Sequence, residues 1–452
     1  MDKTKLKEQV ESIRQTFGYM KRFKGETFVI KIDSSLINHD LFAILIKDLT
    51  LLHNMGIKIV LVPGARSRIN EVLSTFKVQC QTVNGVRISS SEAIPFIKMA
   101  AFDVSNRVMT MLAENGANGI IGNWVKARGM GVRNGVDFQN SGIVEKVQSK
   151  ILNSVLEDGF IPIFPNIGWS GTGKPYNLSS NELAFNLSRE LRAAKLFFIT
   201  NYCGIESKSF NLPKDIYVSE DGIISQLNVD QAGYFVEMNE GEGYNEQLEL
   251  ISLAYNACKQ SVKRVHIVDG RVEGMVLQEI FSNVGQGTMV YSNLHENIRN
   301  MEIADIPEVL ALMQPQIEEK LLVARHASDL EEKVNDYAVY EVDGTIHACG
   351  ALHLYPTGQG EIAAIVVDKQ YASRGIGRKM ISYFIDKARN MHLKSVFVLT
   401  TQTSDWFLQI GFKEAHKSIL PPQKQKTYNE RRNSKILDYQ LSQKPKINCH
   451  VD

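Results

Sequence analysis

The sequence predicts an α/β protein of two successive units: an αβα sandwich over residues 1–293, opened by a helix within 1–24, and a smaller α/β domain over 298–452. Apolar runs that read as strands buried on both faces alternate with stretches of helical period up to residue 290. A polar stretch, Ser292 to Asn297, interrupts that alternation, and a new series of elements starts after it. A length of 452 residues also exceeds one ordinary core.

Residues 5–22 repeat Leu6, Val10, Ile13 and Phe17 at helical period, and Gly25 ends that helix. Phe28–Ile32 is a buried strand, followed by a helix from Asp40 to Asn54 and a second apolar strand, Ile57–Val62. The same pattern gives a strand at Ile161–Phe164, a helix around Glu182 to Ala193, and a strand at Leu196–Ile199. His266–Val268 and Thr288–Val290 close the first unit, whose sheet is parallel or mixed with helices on both sides. In the second unit, helices over Asp305–Gln314 and Ser328–Asn335 precede two strands, Tyr337–Glu341 and Ile346–Leu354. Asp343-Gly344 between them is a hairpin signal. Strand Ile362–Val367, a helix, strand Ser395–Thr400 and helix Trp406–Gln409 complete the domain.

Apolar residues make up 44% of the chain, charged residues 22%, and the formal charge is +1. That describes a soluble globular protein with no global field toward nucleic acid or anionic lipid. The N-terminus has no signal-peptide core, and no apolar run is long enough to span a bilayer. The five cysteines are scattered without CxxC spacing, so neither a disulfide framework nor a metal site is expected, and the compartment expected is the cytoplasm. The Lys-, Arg- and Gln-rich stretch Gln423–Arg432 reads, by composition, as a solvated face.

The sharpest local signal is the turn Ser373-Arg374-Gly375-Ile376-Gly377 between strand 362–367 and an amphipathic helix carrying Met380, Ile381, Phe384 and Ile385. Glycines at a strand-to-helix turn admit a diphosphate to backbone N–H groups at the positive end of a helix. Their spacing fits neither a P-loop nor a dinucleotide fingerprint. The turn resembles the pyrophosphate-binding turn of the GNAT acyl-CoA N-acetyltransferases. That resemblance implies acetyl-CoA as acyl donor and no metal. Backbone groups of Ile365, Val366 and Val367 would then meet the pantetheine and thioester, and Ser373, Arg374, Gly375, Ile376 and Gly377 the pyrophosphate. Glu361, at the start of the strand, would act as general base, directly or through water.

Further segments narrow the family. Leu399-Thr400-Thr401-Gln402-Thr403-Ser404-Asp405-Trp406-Phe407 with Gly411-Phe412, the tail Leu420-Pro421 … Tyr428-Asn429-Glu430-Arg431-Arg432-Asn433-Ser434-Lys435, and Leu322-Val323-Ala324-Arg325 resemble runs of the bacterial N-acetylglutamate synthases. The family resemblance implies transfer of acetyl to the α-amino group of L-glutamate, the first step of arginine biosynthesis. Arg432 and Arg325 would hold the substrate carboxylates, for which a planar guanidinium fork is suited. Thr400 would help protonate the departing CoA thiolate. The chain departs from the family at Ala372, Ala324 and Ala327, where polar or basic residues are usual.

Residues 26–290 resemble the amino-acid kinase fold, through Phe28–Lys31, Val62-Pro63-Gly64-Ala65-Arg66, Asn84-Gly85-Val86-Arg87 and Tyr176–Asn181. Two glycines follow the strand lysine in the kinases; here Ile32-Asp33-Ser34 follows Lys31, and a negative Asp33 would repel ATP. Val265–Gly270 and Leu277–Thr288 resemble the arginine site of feedback-sensitive relatives. Tyr19, His266, Glu279 and Gly285 are the implied allosteric residues, L-arginine the implied inhibitor, and a tetramer or hexamer the implied assembly. A residual N-acetylglutamate kinase and a non-catalytic arginine sensor are the competing readings.

Overall fold

The computed structural model describes residues 23–441, other than 214–215, 217, 220, 242, 282–286, 293–295, 343–344, 369–374 and 431. The expected helix over 5–22 and the Asp343-Gly344 turn fall outside those residues. The chain divides into two compact units, Met1–Asn293 and Leu294–Asp452.

The first unit is organised by an eight-stranded sheet: β1 (Thr27–Ile32), β2 (Lys58–Pro63), β3 (Gly119–Ile121), β4 (Ile161–Ile163), β5 (Lys195–Thr200), β6 (Gln226–Asn228), β7 (Arg264–Asp269) and β8 (Thr288–Tyr291). Their spatial order is β6-β8-β7-β5-β1-β2-β4-β3, parallel throughout except for β7 against β8. The near-continuous apolar runs follow from burial on both faces. Phe28, Ile30, Leu61 and Phe197 enter one core, whereas Val29, Val60, Val62 and Phe198 enter the other. Helices α1 (Phe42–Asn54), α2 (Arg66–Thr75) and α3 (Ile94–Glu114) supply the first core. Helices α4 (Ser180–Glu190) and α5 (Glu246–Gln260) supply the second. A seven-residue helix, α6 (Met275–Phe281), precedes β8.

Several elements were not anticipated from the sequence, among them α2, α5, β3 and β6. Helix α3 is another, and it buries Ile97, Ala101, Val104, Val108 and Leu112 along one face. So is a second sheet of four short strands, Val125–Gly129, Gly142–Val147, Ile167–Trp169 and Pro175–Asn177.

The second unit holds β9 (Glu296–Asn300), α7 (Ile306–Glu318), α8 (Ala327–Glu332), β10 (Tyr337–Val342), β11 (Thr345–Tyr355), β12 (Gln359–Val367), α9 (Ile376–Asn390), β13 (Ser395–Thr400), α10 (Ser404–Ile410), β14 (Lys413–Ala415), α11 (Pro422–Thr427) and β15 (Lys435–Gln440). The sheet order is β9-β10-β11-β12-β13-β15-β14. Helix α9 lays Met380, Ile381, Phe384 and Ile385 on the core, at the spacing that predicted it. The expected helix over 328–335 is split into α8 and a 3-10 turn, Val334–Asp336. Strand β12 begins at Gln359, three residues earlier than its apolar run suggests, because Gln359, Gly360 and Glu361 pair with Ser395, Val396 and Phe397 of β13.

Candidate active site

Beyond Glu361, β12 has no further pairs with β13, although it stays paired with β11 as far as Val367. The divergence has a local cause. Between the pairs Ala351–Ala363 and Cys349–Val366, β12 carries one residue more than β11, and Ala364 takes a left-handed φ of 55°. This is a bulge of the kind that bends a strand and re-aims its backbone. Ile365, Val366 and Val367 thus keep one edge in the sheet and leave the other toward a gap between two parallel strands.

Helix α9 starts beside this gap. Gly375, at φ 69°, is its N-cap; among the described residues no side chain caps the first turn, and no acid lies in it. First-turn N–H groups and the positive dipole end are therefore available to an anion. A depression of about 500 Å³ there is lined by Gly375, Arg378 and Lys379, with Tyr340 and Ile298 behind them. A Cβ at Gly377 would come within 3.3 Å of the Trp406 indole, so glycine lets the first turn of α9 close on α10. Ser373 and Arg374 lie outside the described residues.

Glu361 is 4% exposed and doubly held. The Tyr355 hydroxyl donates to its Oε2 at 2.8 Å, and Nζ of Lys424 lies 2.6 Å from its Oε1. Burial, and then the Glu361 carboxylate, push the Tyr355 phenol well above its ordinary range, so it remains a donor. Across the strand pair from Glu361 stands His353, whose Nδ1 is 2.7 Å from Asp336 Oδ2. These groups share a cleft of about 510 Å³ with Arg325. Lys424 was not singled out from the sequence. Its run does read as solvent-facing, but the short helix α11, begun at Pro422, turns this one lysine onto a buried carboxylate.

The two arginines expected to hold substrate are anchored on one segment. Arg325 Nη1 donates to the Val323 carbonyl at 3.0 Å, and Arg432 Nη2 donates to the Leu321 carbonyl. Arg325 reaches the cleft; Arg432 is half-buried and is not among the residues that line it. Thr400 ends β13, three residues past the partner of Glu361, where the strands have parted. Its Oγ1 accepts from the Thr403 amide at 3.1 Å and lies 2.8 Å from Thr403 Oγ1, so it also caps the turn after the strand.

In the first unit His266 and Glu279 meet: Nδ1 of the imidazole is 2.8 Å from Oε1, and both side chains are buried. The imidazole stacks on Phe197 with centroids 4.7 Å apart. Burial, and then the charge of Lys195, depress His266 to about 4 against the opposing pull of Glu279. The imidazole is therefore neutral at neutral pH, with its Nδ1 in hydrogen-bond contact with Glu279. Buried Lys195, with Nζ 5.0 Å above the Phe23 ring, adds a cation that the apolar run around it conceals. Tyr19 and Gly285 lie outside the described residues.

At the carboxyl ends of β1 and β2, Lys31 Nζ is 3.2 Å from Asp33 Oδ2. Burial opposes the ionisation of Asp33, but Lys31 and the Ser35 amide and hydroxyl hold its carboxyl below the usual range. A Lys31–Asp33 ion pair is thus built into this crevice. Among the described residues, no group of His, Cys, Asp and Glu is arranged to hold a metal ion, and no helix is long and apolar enough to cross a membrane.

A parted pair of parallel strands beside an uncapped helix N-terminus, with a buried carboxylate where they part, defines a GNAT-type acyltransferase unit. Residues 303–411 match the acetyltransferase (GNAT) family, and residues 26–269 match the amino acid kinase family. The amino-acid acetyltransferase of Salmonella typhimurium is 32% identical over 449 residues, 97% of this chain and 99% of its own. The chain belongs to the amino-acid acetyltransferases and is an enzyme of that class. Its structure is similar to that of N-acetylglutamate synthase from Neisseria gonorrhoeae complexed with coenzyme A and L-arginine, at 29% identity and a TM-score of 0.81 over 96% of this chain and 99% of that one. Against the same enzyme complexed with coenzyme A and N-acetyl-glutamate, the identity is 30% and the TM-score 0.60, with the same coverage.

Proposed function

We propose that the second unit transfers the acetyl group of acetyl-CoA to the α-amino group of L-glutamate, giving N-acetyl-L-glutamate and CoA, the first step of arginine biosynthesis. The observation that carries this reading is the buried Glu361 at the parting of β12 and β13, with two arginines fixed on the neighbouring 321–325 segment. Arg325 and Arg432 would bind the two carboxylates of glutamate. Glu361 would take a proton from the ammonium, and the freed amine would attack the thioester carbonyl. Backbone N–H groups on the open edge of β12 would stabilise the oxyanion, as preorganised donors do in acyl transfer. Collapse would break the C–S bond, and the second proton shed by the nitrogen as it becomes the amide would reach the departing thiolate through the Thr400 hydroxyl, which accepts one proton as it gives up another and ends neutral. The pyrophosphate would lie on the first turn of α9, beside Arg378 and Lys379.

In the first unit, we infer an L-arginine site at His266 and Glu279. An amino acid with a guanidinium side chain brings both signs of charge, and Glu279 and Lys195 supply the complements. Feedback inhibition and assembly through this unit belong to the same reading. Phosphoryl transfer is disfavoured by Asp33. The test is CoA release from acetyl-CoA with L-glutamate, in the parent and in Glu361→Gln. The reading requires glutamate-dependent release that the variant loses; release independent of glutamate would overturn it.

A further inference from the structure

Acetylation of an ammonium leaves one proton over in every turnover. Acetyl-CoA and the ammonium give the acetylated amine, the CoA thiol and a proton, so the proton that Glu361 takes must leave before the next substrate reacts. The carboxylate is poorly placed to shed it unaided. Glu361 is 4% exposed, and each of its oxygens already has a partner: the Tyr355 hydroxyl on Oε2 and the Lys424 Nζ on Oε1.

One neighbouring side chain is suited to the task. His353 is the register partner of Glu361 across β11 and β12. Opposed residues of an antiparallel pair project to the same face of the sheet, with Cβ atoms about 4.5–5.5 Å apart. Both side chains line the cleft of about 510 Å³. The His353 side chain keeps 20% exposure, and that of Asp336, whose Oδ2 is 2.7 Å from Nδ1, keeps 32%. An imidazole can take up a proton at one ring nitrogen while the other is held by a carboxylate. The carboxylate also fixes the plane of the ring and stabilises the imidazolium that forms, as in hydrolytic triads. Tyr337 packs on the imidazole in a T-shaped contact, with centroids 6.0 Å apart. The remaining charges on the cleft wall are Arg325, Lys333 and Lys424 against Asp329 and Glu332, so an imidazolium there meets neighbours of both signs.

We propose that His353, held by Asp336, carries the proton of each turnover from Glu361 to solvent, directly or through one bridging water. The step balances: Glu361 returns to the carboxylate, Nε2 of His353 gains the proton and loses it to the medium, and no other reactant is consumed. The inference rests on Glu361 as the base.

The test is initial-rate acetylation of L-glutamate by the full chain in dilute buffer, comparing the parent with His353→Ala and Asp336→Asn. His353→Ala should lower kcat on the order of 10²-fold, with KM for glutamate and for acetyl-CoA little changed. Added imidazole should restore its rate in proportion to the neutral form of the additive. Pyrazole, which has the same shape but is a far weaker base, should not. Asp336→Asn should lower kcat by a smaller factor, because the relay nitrogen remains. Calorimetric binding of acetyl-CoA checks that each variant is folded. A parent-like kcat in His353→Ala, while Glu361→Gln is inactive, would overturn the relay and leave the base standing; a parent-like Glu361→Gln would remove the reading beneath it. Equal rescue by pyrazole, a loss that neither azole relieves, or a raised KM for glutamate at unchanged kcat would also overturn the proposal, because each makes His353 a structural or substrate-contact residue.

Discussion

Replacing Lys424 with methionine would keep the stem of that side chain and remove the cation from Glu361. The carboxylate is 4% exposed, and the charged atoms are 2.6 Å apart. At an effective dielectric of about 20, charges centred about 4 Å apart attract by about 4 kcal/mol. Orphaning one member of a buried pair costs about 3–5 kcal/mol. The Lys424 side chain retains 23% exposure, and water screens part of that attraction, so about 2 kcal/mol is the working figure. This corresponds to about thirtyfold in an equilibrium constant. Lys424 holds the Glu361 carboxylate where the strands part, so kcat for glutamate should fall by roughly that factor while KM for acetyl-CoA stays unchanged. Lys424→Arg should restore the parent rate. The groups facing Glu361 are Tyr355, Lys424 and, across the strand pair, the His353–Asp336 pair, so His353→Ala with imidazole added serves as a control for a general disturbance of the cleft. An unchanged kcat in Lys424→Met, while Glu361→Gln still abolishes turnover, would refute the role given to Lys424 and leave the base in place.

Glu361→Gln should lower turnover on the order of 10²-fold or more while acetyl-CoA still binds, as calorimetry would report; parent-like turnover and pH dependence would remove Glu361 from the mechanism. Arg432→Ala should raise KM for glutamate with little change for acetyl-CoA, by about 2 kcal/mol, the low end for a half-buried carboxylate contact; unchanged glutamate kinetics would dismiss the assignment. Glu279→Ala should remove the response of acetylation to L-arginine, whose coupling is expected at about 1–3 kcal/mol, and an arginine titration of the rate decides it. His266 is held down to about 4 while its unfolded value is near 6.5. The unfolded chain therefore binds the extra proton between those values, and stability should fall with falling pH across that window by about 1.4 kcal/mol per unit. Calorimetric unfolding of the full chain, parent against His266→Gln, would show the slope in the parent alone.

The sequence made the regular framework legible because burial leaves a periodic record. Strands such as Thr27–Ile32 and Lys195–Thr200 are apolar at nearly every position because each face meets a core, and α9 shows its buried stripe at helical spacing. What local pattern does not record is contact at a distance. The bulge at Ala364 depends on the register with β11, and no glycine marks it. The pairing of Lys424 with Glu361 spans two elements that nothing local connects. Lys195 sits at the start of a strand that reads as purely apolar, and only the fold shows it above the ring of Phe23.

The central claim is that this chain moves an acetyl group from acetyl-CoA to L-glutamate. The most direct measurement follows CoA thiol release and N-acetyl-L-glutamate formation by the full chain, with acetyl-CoA and each of a panel of amino acids, with and without ATP. The account predicts equal amounts of CoA and N-acetyl-L-glutamate, a marked preference for glutamate within the panel, and no ATP consumption. No CoA release with glutamate, preferential acetylation of another amino acid, or glutamate-dependent turnover of ATP would contradict it.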